Sequence, residues 1–389
     1  MSVKTFHVWN FKSLSDFRLD FDDVTCLIGM SGSGKSSVIQ ALSLVSTLLT
    51  YSNEAPAEKW LRKRGWNIDD IKSVAGPNRA RWPRFRIAVE NKPGVILSWE
   101  GQLGQVGESI RFVEELVEEE TSEGRREILR TEVGRFKCEG EDWDDSYPDY
   151  EGSILPYWPY FPSECNEICC SICNIVSMDV FNFSPSDSLD LSKKYCDDQM
   201  DLTAGLIELS RRDVEKKILP VLQKFFPQVK DVRIRRRSDC KEVGFVETVD
   251  GKDVVLSGRQ AGQGFIRLLG ILVRMLTPGT FITIDDLETG ISIDWVSELM
   301  KIIEESGKQV LFTTNSTLVM NFVDDDKVRL LFRKPGGATA MVNFVDIPSM
   351  KKKLAVFCPG DALISSSLRE ITDEALAFTS QASPVKPAP

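Results

Sequence analysis

Two short stretches carry residue types whose spacing could do chemistry on a phosphate. The first is residues 29–37, "GMSGSGKSS", which fits G-x-x-x-x-G-K-[ST] in full. Gly29, Gly32 and Gly34, with Ser31 and Ser33 between them, let backbone N–H groups curl around an anion without Cβ clashes. A helix starting near Gly34 would turn its N-terminal dipole to that anion. Lys35 would bridge the β- and γ-phosphates, Ser36 would offer a hydroxyl to Mg2+, and Ser37 closes the motif. The second stretch, "FITIDD" at residues 281–286, ends an apolar run in two acids. Asp285 is placed to hold Mg2+ directly or through water, and Asp286 to orient an attacking water. Strand-end acids also occur as plain solvated turn residues, and for Asp286 that reading stays open.

These groups need elements to aim them. Residues 24–28, "VTCLI", read as a buried strand leading into the glycine loop, with a helix over 34–49 behind it. Residues 3–22 alternate as two antiparallel strands. Hairpins are expected over 85–103, turning at Lys92-Pro93-Gly94, and over 114–134, turning at Glu123-Gly124. The stretch 51–80 reads as mixed and mostly helical, 139–163 as a loop, and 178–189 as a strand leaving into a loop. Helical periodicity covers 197–226, followed by strands at 231–236 and 243–248. After a turn at Asp250-Gly251 comes a Gly/Gln-rich joint and an apolar helix over 265–276. Strand 281–284, helix 293–305, strand 309–313 and strand 328–332 close the core, and 380–389 reads as a flexible tail. Strands alternating with helices after the loop predict an α/β fold with a parallel core sheet. An antiparallel side sheet and a helical lobe would flank it.

The chain has 389 residues, 42% hydrophobic and 27% charged, with a net charge of −10. Such a chain can bury a sizeable core. No run of about 18 apolar residues is present, and the start does not read as a signal peptide, so the expected location is cytoplasmic with no membrane contact. The acidic balance argues against whole-surface nucleic-acid binding. Basic clusters nevertheless stand at 62–64, 79–86 and 233–237. Four of nine cysteines crowd into "CNEICCSIC", Cys165, Cys169, Cys170 and Cys173. No second pair follows at zinc-site spacing, so they read as thiols on a helix face.

Several segments, in order, resemble the ABC-type ATPase heads of the SMC/RecF group. More narrowly they resemble the single-chain AAA-family ATPases of the AAA15/AAA21 type, related to OLD-family proteins and frequent in prokaryotic anti-phage defence. They are Asn10-Phe11-Lys12-Ser13 with the glycine loop, "LSGRQAGQGFIRLLGIL", "IDDLETGIS" and "VLFTTNSTLVM". The resemblance covers roughly 3–50 and 175–335. It implies a P-loop NTPase with an ABC-type head: an N-terminal core part with side sheet over 1–160 and a helical lobe over 161–245. The C-terminal core part would span 246–345, with an extension and tail over 346–389. It also implies ATP with Mg2+, sandwiched between two copies. One copy would supply Lys35, Ser36 and Asp285. The other would supply the joint Gly262-Gln263-Gly264, whose free N–H groups at a helix start suit an anion.

Three positions depart from the family pattern. The usual base glutamate is Asp286, one methylene shorter; the turn histidine is Ser292; the switch histidine is Asn315. Asn315 can hydrogen-bond a phosphate oxygen or a water but does not titrate near neutrality. The expectation is slow ATP hydrolysis in a head-to-head dimer that gates a separate effector, a nuclease or toxin. The alternatives are an ATP-sensing scaffold with negligible turnover and a RecF-like ATPase that clamps DNA through its basic clusters.

Overall fold

The computed structural model describes residues 2–50, 55–75, 81–132, 135–143, 150–157, 161–178, 189–190, 202–237, 240–277, 279 and 281–382. Three strands whose side chains are buried throughout build the middle of the core sheet. They are β3 (Val24–Ile28), β15 (Phe281–Ile284) and β16 (Gln309–Thr313), the last buried beyond its first residue. Continuous apolar runs of this kind mark a sheet covered on both faces. With β10 (Ile175–Met178), β17 (Val328–Arg333) and β18 (Thr339–Asn343) they form a six-stranded sheet in the order β10-β15-β16-β3-β17-β18. All neighbours are parallel except β17 and β18.

Alternation along these strands divides the interior into two cores. Leu27, Phe281, Leu311 and Leu331 face one, while Cys26, Ile282, Phe312 and Leu330 face the other. The first core is filled by helix α1 (Lys35–Leu49), by α2 (Pro56–Lys63) and α3 (Ser163–Cys173), and by the inner face of an antiparallel sheet. That sheet runs β2 (Leu14–Asp20), β1 (Ser2–Phe11), β4 (Arg84–Lys92), β5 (Val95–Val106), β6 (Ser109–Thr121), β7 (Gly124–Glu132), β8 (Arg135–Cys138) and β9 (Glu141–Trp143).

The second core is filled mainly by helices. Chain segments α4 (Leu202–Glu208) and α5 (Arg211–Asp213) lead through a π-helical turn at Val214–Ile218 into α6 (Leu219–Phe225). Then follow α7 (Gln263–Leu276), α8 (Val296–Glu305), α9 (Thr317–Met320), α10 (Pro348–Lys353), α11 (Pro359–Ile364) and α12 (Leu368–Ala382). A small antiparallel sheet of β11 (Leu189–Asp190), β12 (Val229–Arg237), β13 (Cys240–Val249) and β14 (Lys252–Ser257) stands beside α4 and α6. Among the described residues no helix is long and apolar enough to cross a membrane.

Four readings of the sequence differ from this architecture, and a fifth falls mostly outside the described residues. Of 51–80, the described part holds only the eight-residue α2 and a short 3-10 turn at Ile68–Asp70. The expected loop over 139–163 contains β9 and a 3-10 turn at Leu155–Tyr157. Of the strand and loop expected over 178–189, Met178 is the last residue of β10 and 179–188 lie outside the described residues. The segment 161–245 is more than a helical lobe: it supplies β10 to the core sheet, and its antiparallel strands continue past 245 into β14. Of the expected tail, residues 380–382 belong to α12 and the rest lies outside the described residues. β10, four residues long, and β18, five, are not among the expected strands. β15 is as short, but its four residues are all aromatic or β-branched; β10 and β18 include residues of weaker strand preference, Ser177 and Met178 in one and Ala340 and Met341 in the other.

Candidate phosphate-binding and carboxylate site

The chemistry gathers at one edge of the core sheet. β15, β16 and β3 are adjacent and parallel, so their C-terminal ends emerge side by side. Asp285 follows β15, Asn315 follows β16, and the glycine loop follows β3.

The loop is braced from behind. Gly34 adopts φ 109°, and a Cβ there would fall 2.4 Å from the Thr339 hydroxyl, so only glycine fits. That hydroxyl donates to the Ser33 carbonyl (2.8 Å) and lies 2.8 Å from the Ser13 hydroxyl. The turn between β1 and β2 and the edge strand β18 thus set the loop's shape. Ser31 and Gly32 are exposed and Ser33 is buried. At Gly29 a Cβ would meet the Leu331 carbonyl at 2.2 Å.

Lys35 is buried at the start of α1. Its Nζ donates to the Gly29 carbonyl (2.7 Å) and to Asn315 Oδ1 (3.0 Å). Burial pushes its pKa down, and the carboxylates of Asp286, Asp285 and Glu288 push back. Asp285 is almost fully buried, and its Oδ1 accepts from the hydroxyls of Ser36 (3.1 Å) and Thr313 (2.8 Å). A hydroxyl and a carboxylate in contact are hard oxygen donors, the ligand type Mg2+ takes alongside phosphate and water. The donor set therefore fits such an ion.

Asp286 is held in an unusual way. Its φ is +48°, in the left-handed region that costs a non-glycine residue of order 1–3 kcal/mol. Three groups stabilise it there. Its N–H donates to Thr313 Oγ1 (2.7 Å), and its Oδ1 accepts from Asn315 Nδ2 (3.2 Å). Its carbonyl accepts from Arg267 Nη2 (2.7 Å), which also donates to the Asp285 carbonyl. The Asn315 amide thus spans from Lys35 to Asp286. Glu288 fixes the switch loop from the other side, accepting from the Thr314 hydroxyl (2.7 Å) and the Asn315 N–H (2.8 Å).

Of the residues singled out by sequence, Lys35, Ser36, Asp285, Asp286 and Asn315 share one hydrogen-bonded cluster, with Gly29, Ser33 and Gly34 at its rim. Gly262 and Gln263 lie exposed at the start of α7, with Gly262 at the N-cap and no side chain capping the free N–H groups. Gly264 packs on Gly290 in the turn after Asp286. Sequence reasoning missed Thr313, Glu288 and Arg267. Arg267 had a legible signal: a lone cation inside the apolar run "FIRLLGILV" is buried only if paired.

The cysteine segment forms α3, with Cys165 and Cys169 buried, Cys173 half-buried and Cys170 exposed. The thiols of Cys169 and Cys173 both donate to the carbonyl of Leu49, at the end of α1.

Fold and site together define a P-loop ATPase head. Residues 1–156 match the family described as AAA ATPase domain. Residues 186–321 match the family described as AAA domain, putative AbiEii toxin, Type IV TA system. The two segments are thus similar to AAA ATPase domains, and the fold is that of an SMC head. Its structure is similar to the Smc head bound to the C-winged helix domain of ScpA, at 15% identity over 88% of this chain and 98% of that one, with a TM-score of 0.52. It is similar also to the Smc head domain with an extended coiled coil, bound to the C-terminal domain of ScpA derived from Pyrococcus furiosus. There the identity is 13% over 91% of this chain and 99% of that one, with a TM-score of 0.50. At these identities the likeness speaks for the fold alone. No curated protein matches the sequence.

Proposed function

We propose that this protein binds MgATP, hydrolyses it slowly between two head-to-head copies, and uses the closure to gate a separate effector protein. The observation that carries the proposal is the convergence of Lys35, Ser36, Asp285, Asp286 and Asn315 on one cluster at the sheet edge. Lys35 exchanges its bonds to the Gly29 carbonyl and Asn315 for phosphate oxygens. Ser36 and Asp285 hold Mg2+, which when bound neutralises charge on the β- and γ-phosphates. Asp286 accepts the proton of the attacking water, and Asn315, released by Lys35, orients that water or a γ-phosphate oxygen. The exposed joint at Gly262-Gln263-Gly264 supplies N–H groups to the nucleotide of the other copy.

The gating reading draws on two supports outside the site. The second family description names a toxin–antitoxin system, and the similar Smc heads are bound to domains of ScpA. Anti-phage defence is the setting we propose, with a nuclease or toxin as effector and the cytoplasm as location.

One observation favours the scaffold reading. Asn315 occupies both Lys35 and Asp286, so the groups needed for turnover are tied to each other. Steady-state phosphate release decides between the two, with Asp285→Ala as the blank. Turnover no higher than that blank removes hydrolysis and leaves the scaffold. The DNA-clamping reading is weakened by the basic clusters themselves. Arg84 and Arg86 pair with Glu100, Arg86 also with Glu118, and Arg233 with Asp231, while Arg64 is buried against Trp60. DNA affinity falling steeply with salt would restore it.

A further inference from the structure

Arg267 is the one charged side chain in the buried stretch Phe265 to Val273 of α7, with 5% of its surface exposed. It donates through Nη2 to two successive main-chain carbonyls, of Asp285 and Asp286. At that point the chain leaves β15 and turns into the left-handed region at Asp286, φ +48°. A carbonyl buried at such a turn must find a donor to replace the water it gives up. One nitrogen with two hydrogens serves both carbonyls, so the peptide planes on either side of Asp286 are held by the same side chain.

The other end of the connection is the glycine joint. Gly264 lies three residues before Arg267, almost one turn of α7 away, and packs on Gly290 in the same carboxylate turn. Helix α7 therefore grips the turn at two points, at Asp285–Asp286 and at Gly290, with Glu288 between them.

We infer that Arg267 is a positioning residue: it fixes the backbone of Asp286 so that the short carboxylate is aimed at the attacking water, and it ties that aim to the seating of the Gly262–Gly264 joint. The inference rests on the hydrolytic reading above. Asp286 is a methylene shorter than a glutamate, so its reach depends on where its backbone is held.

The test compares Arg267→Met and Arg267→Lys with the wild type in phosphate release, ATP titration and thermal melting. Arg267→Met lowers kcat at least tenfold with KM for ATP within twofold. Arg267→Lys, which keeps a cation and donors on a shorter arm, recovers part of kcat. Unchanged kcat, or equal losses in kcat and in ATP affinity, overturns the inference. If Arg267→Met does not fold, Arg267→Lys alone decides by the same split. A wild type no faster than Asp285→Ala defeats the hydrolytic reading instead. In that case hydrogen exchange still tests the positioning: Arg267→Met must speed exchange in the 281–291 segment and spare the phosphate loop. Equal exchange in both proteins overturns it.

Discussion

Replacing Gly264 with alanine sets two physical effects against each other. Gly264 lies in the first turn of α7 with φ outside the left-handed region, so alanine fits the backbone. Helix propensity alone would stabilise the variant by up to about 1 kcal/mol. The contact predicts the reverse. The added Cβ would fall 2.1 Å from the Gly290 carbonyl oxygen, and ordinary contact begins at 3.4 Å, so about 1.3 Å of separation must be found. The obstructing atom is backbone, in a turn with Gly290 at φ +73°, and it cannot swing aside as a side chain would. Overpacking of this kind costs about 1–3 kcal/mol, which outweighs the propensity gain. The turn also carries Asp286 and Glu288, and misplacing a catalytic group by about 1 Å costs on the order of 100-fold in rate. Gly264→Ala should therefore lower both the urea midpoint and phosphate release, the latter by 10- to 100-fold. A variant that is more stable than wild type and turns over within twofold of it would refute the packing of α7 on the carboxylate turn.

Further outcomes follow from other contacts. Lys35 is bonded to Asn315, and under the proposed exchange of that bond for phosphate Asn315→Ala should bind a fluorescent ATP analogue at least as tightly as wild type while hydrolysing more slowly; weaker binding counts against the exchange of partners at Lys35. Glu288→Ala leaves the Thr314 hydroxyl and Asn315 N–H without their acceptor, each bond to a charged group being worth about 1.5–3 kcal/mol. Phosphate release should fall about tenfold or more, with Glu288→Gln intermediate, because the amide keeps one acceptor oxygen.

Glu115 offers a pH test away from the site. It is fully buried under the side sheet and accepts from Trp99 Nε1, the Ser153 hydroxyl and the Ile154 N–H, and burial pushes its pKa up to about 7 from 4.5. Between those values the folded state holds the proton more tightly than the unfolded one. Stability from this group is thus present at low pH and lost as pH rises through the window, by about 3 kcal/mol in all. Urea unfolding from pH 4.5 to 7 should show a flatter slope in Glu115→Gln than in wild type; equal slopes exclude an ionising Glu115.

Much of the fold was legible because its signals are local. The glycine loop is a contiguous motif. β3, β15 and β16 are short apolar runs bounded by turns, and the two hairpins of the side sheet turn at Pro93-Gly94 as expected and at Ser122-Glu123, one residue before the expected Glu123-Gly124. β10 escaped because its end, Ser177-Met178, has weak strand preference and because it joins the sheet beside a strand more than a hundred residues later in the chain. No pattern within residues 161–178 encodes that pairing.

The division at the site is similar. Residue type and spacing alone singled out Lys35 and Ser36 as candidates for phosphate and metal and found an acid pair closing a buried strand. Only the tertiary structure decided how that pair is aimed. Parallel order brings Thr313 and Asn315 beside Asp285 and Asp286, and α7 brings Arg267 to their carbonyls. The physical reason is reach. A hydrogen bond acts over about 3 Å and needs a specific direction. Partners 18 to 280 residues apart in the chain acquire that geometry only when the strands that carry them pack side by side.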